Sequence, residues 1–543
     1  MTMLWLVLST FFISAGAIDQ VVRITHGLVG GVEEHTVYGT KYMAFYSIPY
    51  AAAPVGLLRL KPPVEPRPWF QVRNVTKWPS ACLQQTKSKE VFGDEDCLYL
   101  NVFVPSNKSR INDALLPVMV FIYGGAFRSG DSSMYPPGYM LEKPVILVTM
   151  NYRLGPLGFL AYGTDDLSGN FGLKDQSFAL KWVQKNIGAF GGNPSEVTLF
   201  GESAGSASVH LHTFSPLTTG LFHRAIMQSG IGTSDWCTQK LDEARAMTTA
   251  FAVVTGCYHR HLTQMVSCFR RLKPKEFIKG MNKLYVWSSD PTVLFRPVIE
   301  GEGVSDAALP KELRPTNYQS QSIPLIVGIN SGEAAFKVLE YLKNDGLLLK
   351  ELNEDYHHLF PIVLSYQSRV DPEKFEKITN RIKEFYFQSR SIAAETDIEV
   401  VKMLTDVMFL HPLMEVLRHY PATKYLYVYD HKSNCSGPGS IGCYKDEYGA
   451  NHGDELALLF TQPKLPFDKM TVSEKFISSK LVEFWTNFAI YSNPNGPATD
   501  LVWIPVISKE NEFLHITTKE ISMKNNYHAE RAEFWEKLVA ENY

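Results

Sequence analysis

Short, continuously apolar runs alternate along this chain with longer segments in which apolar positions recur every three or four residues. The apolar runs predict strands that are buried on both faces, and they cover residues 117–123, 145–150, 197–200, 323–329 and 425–429. In residues 173–187 the apolar positions, among them Phe178, Trp182 and Ile187, form one face at helical spacing. The alternation predicts the α/β class, with a large, mostly parallel central sheet and helices on both faces.

The alternation continues over most of the chain, without an internal repeat, a low-complexity segment or a linker. A length of 543 residues, with 45% hydrophobic residues, is sufficient for a large core. We therefore predict a single domain over residues 18–543. The segment 232–293 has a mixed pattern, and we expect it to form part of a lid over the sheet.

The charge of the chain excludes some classes of partner. A formal net charge of −3 and an isoelectric point near 6.6 give no electrostatic reason to expect nucleic acid or an anionic membrane as a partner. Basic residues are scattered, with no Lys/Arg block and no acidic tail. Nothing in the sequence indicates an obligate protein partner.

Residues 1–17 predict a signal peptide. An apolar stretch over residues 4–13 is followed by Ala15, Gly16 and Ala17, the small-x-small pattern that signal peptidase accepts. The alternative is a membrane anchor, but the stretch is shorter than the roughly 20 residues that a span needs. The C-terminal residues carry neither a retention signal nor a lipid-anchor tail. We expect the protein to be secreted into the extracellular space.

Secretion favours a disulfide interpretation of the seven cysteines. Their close spacing favours three disulfides, each closing a short loop, and leaves Cys237 unpaired. The pairs are Cys82/Cys97, Cys257/Cys268 and Cys435/Cys443. The alternative is a zinc site, but the chain has neither C-x-x-C nor H-E-x-x-H, so we expect no metal. Three sequons are compatible with glycosylation, at Asn74, Asn107 and Asn434.

A candidate nucleophile lies in the G-x-S-x-G motif of residues 201–205. The apolar run 197–200 precedes Ser203, and residues 204–212 predict a helix, so the motif has the strand–turn–helix context of a nucleophile elbow. Its glycines allow a strained turn close to neighbouring elements. An ordinary Gly/Ser turn is the alternative, which this context disfavours.

Candidate amide donors for an oxyanion follow the predicted strand 117–123. Gly125 and Ala126 lie in a glycine-rich loop, and small residues allow the close approach that backbone donors require. The amide of Ala204, directly after the candidate nucleophile, is the third expected donor. Such a loop alone is more often a plain turn, but the elbow further along the chain favours a functional interpretation.

Ser203 needs a base, and the base needs a third group that fixes its tautomer. Among 15 histidines, His452 lies in a glycine-flanked loop after the last predicted strand, whereas His210 and His212 lie on the helix after the elbow and point away from the serine. Glu333 follows the preceding predicted strand, and carboxyl ends of parallel strands are where ligands gather. The order of serine, acid and histidine is the one that this kind of elbow demands.

With these residues assembled, the chain resembles the type-B carboxylesterase/cholinesterase family, and among its members the secreted insect carboxylesterases. The resemblance extends from about residue 22 to the C-terminus and rests on several long motifs in the same order. Besides the elbow, these are EDCLYLNV at 95–102, NYRLG at 151–155, GNFGLKDQ at 169–176, FGGNP at 190–194 and NHGDEL at 451–456.

The resemblance implies the α/β-hydrolase fold and the hydrolysis of small-molecule carboxylic esters through an acyl-enzyme, without a cofactor. It assigns a catalytic triad and an oxyanion hole to the residues singled out above, namely Ser203, Glu333 and His452, and Gly125, Ala126 and Ala204. It supports two of the disulfides, Cys82–Cys97 and Cys257–Cys268, whereas Cys435–Cys443 rests on spacing alone.

Two further positions match residues that the family holds near the triad. A carboxylate at Glu202 would favour the imidazolium form of His452, and the Ser229 hydroxyl would hydrogen-bond the acid. Juvenile-hormone esterases typically have Gln in place of Glu202, which counts against that role. The loop between Cys82 and Cys97 has no Trp on which a choline ammonium could stack, which counts against acetylcholine as the substrate.

Two other functions remain as alternatives on the same fold. A non-catalytic binding protein is one, because a fold does not determine a function, but such relatives usually lose the nucleophile, the base or both. A lipase is the other, and it would need a mobile apolar lid that a sequence does not reveal. A secreted serine carboxylesterase is the function that we expect.

Overall fold

The structure of the chain is a computed structural model, which describes residues 18–86, 88–106, 114–301, 303–314, 317–318, 323–432, 445–463, 465–497 and 501–542. Its strands are β1 (Gln20–Ile24), β2 (Gly27–His35), β3 (Lys41–Pro49), β4 (Val72–Asn74), β5 (Gln84–Gln85), β6 (Val91–Phe92), β7 (Tyr99–Pro105), β8 (Leu116–Ile122), β9 (Ile146–Met150), β10 (Gly192–Glu202), β11 (Arg224–Gln228), β12 (Leu325–Asn330), β13 (Lys424–Asp430), β14 (Phe513–Thr517) and β15 (Ile521–Lys524).

The α-helices are α1 (Gly155–Phe159), α2 (Phe171–Asn186), α3 (Ala204–Phe214), α4 (Leu241–Thr255), α5 (Leu262–Arg271), α6 (Pro274–Asn282), α7 (Ala335–Tyr341), α8 (Lys343–Glu354), α9 (Tyr356–Val363), α10 (Phe375–Phe387), α11 (Asp397–Thr405), α12 (His411–His419), α13 (Leu456–Leu459), α14 (Val472–Tyr491) and α15 (Ala529–Asn542). A π-helical segment, Asp406–Leu410, joins α11 to α12.

Thirteen of the described strands form one sheet, in the spatial order β1-β2-β3-β7-β9-β8-β10-β11-β12-β13-β14-β15, with β4 paired to β2. The strands from β9 to β14 in this order all pair in parallel. Towards both edges the pairing is antiparallel. The predicted α/β-hydrolase fold is confirmed, but its sheet is mixed, because edge strands with a solvated face do not need the two-sided cover of parallel strands.

The strands that the apolar runs predict lie in the parallel centre of the sheet, where they are β8, β9, β10, β12 and β13. The helix predicted over 173–187 is α2, one or two residues earlier at each end. The prediction missed β11, because its sequence RAIMQ begins and ends with polar residues although all of it is buried. The prediction therefore detects strands whose sequence is continuously apolar and misses a buried strand with polar ends.

Helices cover both faces of the central strands. Phe200 and Gly201 are neighbours on β10 and face opposite sides of the sheet. A Cβ at Gly201 would lie 2.6 Å from Gly205 in α3. Phe200 instead packs on Phe460, which directly follows α13, with the ring centroids 6.3 Å apart. Helix α3 therefore lies on one face, and α13 with the adjacent α14 on the other.

Two of the predicted disulfides are present in the structure, Cys82–Cys97 and Cys257–Cys268. Among the described cysteines only Cys237 is unpaired, and it is buried. Asn74 ends β4 and is exposed. In the described ranges no helix has the length and hydrophobicity that crossing a membrane requires. Outside those ranges lie the predicted leader 1–17 and four predicted sites, Cys435, Cys443, Asn107 and Asn434.

Candidate active site

Ser203 lies in the sharp turn between β10 and α3. Its backbone has φ 58° and ψ −125°, a region that non-glycine residues rarely adopt. The Ser203 amide is held by the carbonyl of Gln228 at 2.8 Å. Helix α3 starts so close to β8 that a Cβ at Gly205 would lie 1.9 Å from the Ile122 carbonyl oxygen. Only glycine at this position allows the turn that presents the serine.

A hydrogen-bonded chain connects the hydroxyl of Ser203 with the carboxylate of Glu333. His452 Nε2 lies 2.7 Å from Ser203 Oγ, and His452 Nδ1 lies 2.5 Å from Glu333 Oε2. The other carboxylate oxygen of Glu333 accepts the Asn330 amide at 2.7 Å. The structure thus brings together all three residues that the sequence nominates as a triad. His210 and His212 lie on α3, as the sequence predicts, and both are buried there.

The loops that carry Glu333 and His452 are joined by hydrogen bonds. The Gly332 amide donates to the Ala450 carbonyl, and the Ala450 amide donates to Ser331 Oγ, both at 2.8 Å. The Asn330 side chain donates to the Asn451 carbonyl at 2.7 Å. The two loops approach so closely at Gly332 that a Cβ there would lie 1.7 Å from the carbonyl oxygen of Tyr448. These contacts set the position of the imidazole relative to the carboxylate.

Two aromatic rings, which the sequence analysis missed, pack against the imidazole of His452. The Phe336 ring centroid lies 5.5 Å away, and that of Phe409 lies 4.9 Å away. Phe409 belongs to the π-helical segment Asp406–Leu410. Neither residue stands in a recognisable motif, so no local signal in the sequence could have identified them.

A second carboxylate contacts the imidazole from the side of the nucleophile. Glu202 Oε1 lies 3.1 Å from His452 Nε2. Burial raises the pKa of Glu202 to about 8, although His452 opposes this rise. Burial lowers the pKa of His452, but the charges of Glu202 and Glu333 outweigh it and raise the pKa to about 9. The site is therefore arranged to stabilise an imidazolium, as the sequence analysis expects of Glu202.

A further carboxylate, Glu455, is buried near the imidazole. It belongs to the motif at 451–456, which indicates no role for it. Its two oxygens accept the side-chain amides of Gln228 at 3.0 Å and Asn330 at 2.7 Å. Because the same Asn330 also donates its backbone N–H to Glu333, Glu455 fixes the strand end that carries the acid. The only signal for Glu455 in the sequence is its position, two residues after the glycine that follows His452.

The interaction expected of Ser229 is absent. Ser229 follows β11, and its amide donates to the Gly328 carbonyl at 2.9 Å. Its hydroxyl is buried but has no hydrogen-bond partner among the described residues. Both oxygens of Glu333 already have partners, Asn330 and His452. The prediction that Ser229 hydrogen-bonds the acid is therefore not met in this structure.

The three amides that the sequence nominates as oxyanion donors come from segments adjacent to Ser203, since a Cβ at Gly124 would lie 2.7 Å from Ser203 Cβ. Gly125 and Ala126 line the same cavity as Ser203, with φ angles of 104° and 54°, and Ala204 is the first residue of α3. Among the described residues, none of these three N–H groups has an acceptor. Buried amides are nearly always paired, so three free donors beside one hydroxyl are a ready site for an anionic oxygen.

A cavity of about 420 Å³ opens in front of these groups. The aromatic side chains of Trp236, Phe336 and Phe409 form part of its wall, and Gln85 and Thr86 line another part. Trp236 and Thr292, which also lines the cavity, come from the segment 232–293 that the sequence analysis assigned to a lid. No cluster of His, Cys, Asp or Glu suited to a metal ion occurs in the described part of the chain.

Comparison with known proteins finds similarity over most of the chain. A family model described as the carboxylesterase family matches residues 18–535. Three similar proteins each cover 95% of this chain: a carboxylic ester hydrolase of Bombus ignitus at 31% identity, a juvenile hormone esterase of Tribolium castaneum at 32% and a cholinesterase of Mus musculus at 33%. The matches cover 93%, 92% and 86% of those proteins, respectively.

Proposed function

The chain belongs to the carboxylesterase family and is a carboxylic ester hydrolase, and on this premise we propose that it acts through a covalent acyl-enzyme on Ser203. The observation that carries the proposal is the continuous chain from Ser203 Oγ through the imidazole of His452 to the carboxylate of Glu333, with contacts of 2.7 and 2.5 Å. Such a chain makes a serine hydroxyl nucleophilic.

In the acylation half of the reaction, Ser203 Oγ attacks the ester carbonyl carbon while its proton moves to His452 Nε2. The carbonyl oxygen becomes an oxyanion, which the amides of Gly125, Ala126 and Ala204 stabilise. The bond to the alcohol then breaks, and His452 Nε2 gives its proton to the leaving alkoxide. Glu333 keeps Nδ1 protonated, so Nε2 is free to accept.

In the deacylation half, water takes the place of the alcohol. It attacks the acyl carbonyl and transfers a proton to His452 Nε2, and the same amides stabilise the second oxyanion. When the acyl–serine bond breaks, the proton returns to Ser203 Oγ and the carboxylate product leaves. Neither half requires a cofactor.

The site of action that we propose is extracellular. The predicted signal peptide 1–17 would be removed, which leaves residues 18–543 as one catalytic domain. The disulfides Cys82–Cys97 and Cys257–Cys268 support this location, because such bonds persist mainly in oxidising compartments.

Covalent labelling tests the proposal directly. We expect diethyl 4-nitrophenyl phosphate, which mimics the tetrahedral species, to abolish hydrolysis of 4-nitrophenyl acetate. Loss of activity should be proportional to a diethylphosphoryl adduct, one per chain, on the proteolytic peptide that contains Ser203. Mass spectrometry of partially inactivated samples measures both quantities together.

Heat-unfolded protein is the control, since a serine without its base should not be labelled. Full modification of Ser203 with activity retained, or inactivation through an adduct on another residue, would refute the acyl-enzyme assignment. Absence of ester hydrolysis in the untreated, folded protein would instead favour the non-catalytic binding protein.

The carboxylate beside the base leads to a prediction about pH. Only the neutral imidazole accepts the serine proton, so kcat/KM should rise with pH through the raised pKa of His452. Glu202→Gln removes a charge that raises this pKa. We expect the acid limb of the kcat/KM profile to move to lower pH by about one pH unit and the plateau to fall by about tenfold, since the imidazolium loses stabilisation.

The profile is measured with 4-nitrophenyl acetate between pH 5 and 10, with the leaving group monitored at its isosbestic wavelength. Glu196→Gln is the matched control, because Glu196 lies on the same strand β10 outside the cavity. A profile for Glu202→Gln that moves to higher pH, or does not move, would contradict the role given to Glu202.

A further inference from the structure

The wall of the cavity in front of Ser203 contains an arginine that has no part in the mechanism above. Arg128 directly follows the loop that carries Gly125 and Ala126, and its amide donates to the Gly125 carbonyl at 3.0 Å. Arg128 lines the same cavity as Ser203 and is half-buried. The residue therefore borders the space that a bound ester would occupy.

Arg128 supplies a positive charge that no described side chain neutralises by direct contact. The other charged side chains of the cavity wall are Glu202 and His452, which contact each other at 3.1 Å and not Arg128. Within the described ranges no carboxylate forms an ion pair with Arg128; its only polar side-chain contact is the hydroxyl of Tyr285. Arginine is mostly exposed and is rarely withdrawn from water without a partner, and no described carboxylate pairs with this half-buried guanidinium.

The guanidinium is nevertheless held in place. Its Nη1 donates to the Tyr285 hydroxyl, and its central carbon lies 5.8 Å from the centroid of the same ring. Tyr285 follows α6, whose last residue Asn282 exchanges two amide hydrogen bonds with Gln85, at 2.8 and 2.7 Å. Because Gln85 also lines the cavity, these two hydrogen bonds connect the end of α6, next to Tyr285, with the cavity wall.

A guanidinium has five N–H donors in a planar fork that matches a carboxylate. The Tyr285 contact uses one of them, which leaves enough donors for a two-point contact with an anion. An aromatic ring under the cation also limits the side-chain entropy that ligand binding would cost. The arrangement is that of a preorganised anion site for which none of the described residues supplies the anion.

We propose that Arg128 is a specificity-determining residue that binds a carboxylate carried by the ester substrate, so that the preferred substrates are monoesters of dicarboxylic acids or hydroxy acids that are acylated at the hydroxyl and keep a free carboxylate. The inference rests on the proposed function, because it concerns the same cavity. It also agrees with the absence of a Trp between Cys82 and Cys97, since a fixed cation in the cavity repels a quaternary ammonium.

Matched pairs of esters test this inference. On the acyl side the pair is mono-4-nitrophenyl glutarate and its neutral methyl ester; on the alcohol side it is 3-acetoxybenzoate and methyl 3-acetoxybenzoate. Each kcat/KM is divided by the rate of alkaline hydrolysis of that ester. We expect the wild type to prefer the anionic member of at least one pair, and Arg128→Gln to reduce that preference by about tenfold.

Arg128→Lys keeps the charge but not the planar set of N–H donors, and should retain part of the preference for the anionic ester. The matched control is Arg73→Gln, which removes an exposed arginine that also lies over an aromatic ring, Trp69, with its central carbon 5.2 Å from the centroid. It should leave every ratio unchanged. The preference of the wild type should fall between 0.02 and 0.5 M NaCl, because salt screens a partly exposed charge pair.

The outcomes separate the two proposals. If the wild type hydrolyses no member of either pair faster than Ser203→Ala does, the proposed function fails. If the neutral esters are hydrolysed but Arg128→Gln leaves both charge ratios within twofold of the wild type, Arg128 only packs on Tyr285 and the inference is overturned. A tenfold loss of preference with retained turnover of the neutral ester supports it.

Discussion

Ser203→Ala should lower kcat for 4-nitrophenyl acetate by roughly 10⁵-fold, because the attacking atom is removed while everything around it remains. The amides of Gly125, Ala126 and Ala204 stay in place, so a small rate above the uncatalysed reaction should persist from oxyanion stabilisation and binding. Initial rates at saturating substrate, with enzyme at high concentration, measure this residual activity.

Ser208→Ala is the matched control, because it removes another buried hydroxyl of α3, one that donates to the Ala204 carbonyl at 2.9 Å. The same hydroxyl accepts a hydrogen bond from Gln176 Nε2 at 3.2 Å. The activity of this variant should stay within about threefold of the wild type, since each neutral hydrogen bond contributes about 1 kcal/mol to stability and nothing to the chemistry. Equal turnover by the wild type and Ser203→Ala would overturn the acyl-enzyme mechanism and support the non-catalytic alternative.

Glu333→Gln should lower kcat by about 10⁴-fold with the fold intact, for a reason of hydrogen-bond direction. The Asn330 backbone N–H, 2.7 Å from Glu333 Oε1, can only donate, so it retains the carbonyl oxygen of the new amide. The amide NH₂ then faces His452 Nδ1 and forces that nitrogen to accept. The imidazole proton moves to Nε2, which can no longer take the proton of Ser203.

Steady-state kinetics and thermal unfolding measured on the same preparation separate chemistry from stability. Glu351→Gln provides the control, since Glu351 accepts the indole N–H of Trp287 at 2.8 Å outside the cavity, and an amide oxygen can replace it. Retention of activity within tenfold in Glu333→Gln would show that another group orients His452. The nearby carboxylate of Glu455 would then be the first to examine.

The elements of the fold were predictable where burial is continuous along the chain. The runs at 117–123 and 323–329 correspond to β8 and β12, because a strand that is covered on both faces must be apolar at every position. The search for continuously apolar runs did not detect the antiparallel edge strands or β11. Edge strands mix exposed and buried positions, as in β1, and the ends of β11 bury polar side chains that hydrogen-bond residues more than 200 positions away, Ser492 and Glu455.

The reactive residues were predictable for a different reason, since each of them stands in a local pattern. Ser203 is marked by flanking glycines, which the backbone φ of 58° and the contact at Gly205 require. His452 and Glu333 follow strand ends, and the order of the three residues along the chain identifies them together. Ser229 shows the limit of such reasoning, because a position in a family pattern does not determine what a hydroxyl contacts.

The chain by itself thus determined five central strands, the elbow and the candidates for nucleophile, acid and base, since these depend on local patterns and on their order along the chain. Tertiary structure alone decided that residues separated by 249 and 119 positions meet at hydrogen-bonding distance. It also decided that Phe336 and Phe409 pack against the imidazole and that no described carboxylate pairs with Arg128. Contacts between distant segments depend on how loops pack on the assembled sheet, which no local pattern encodes.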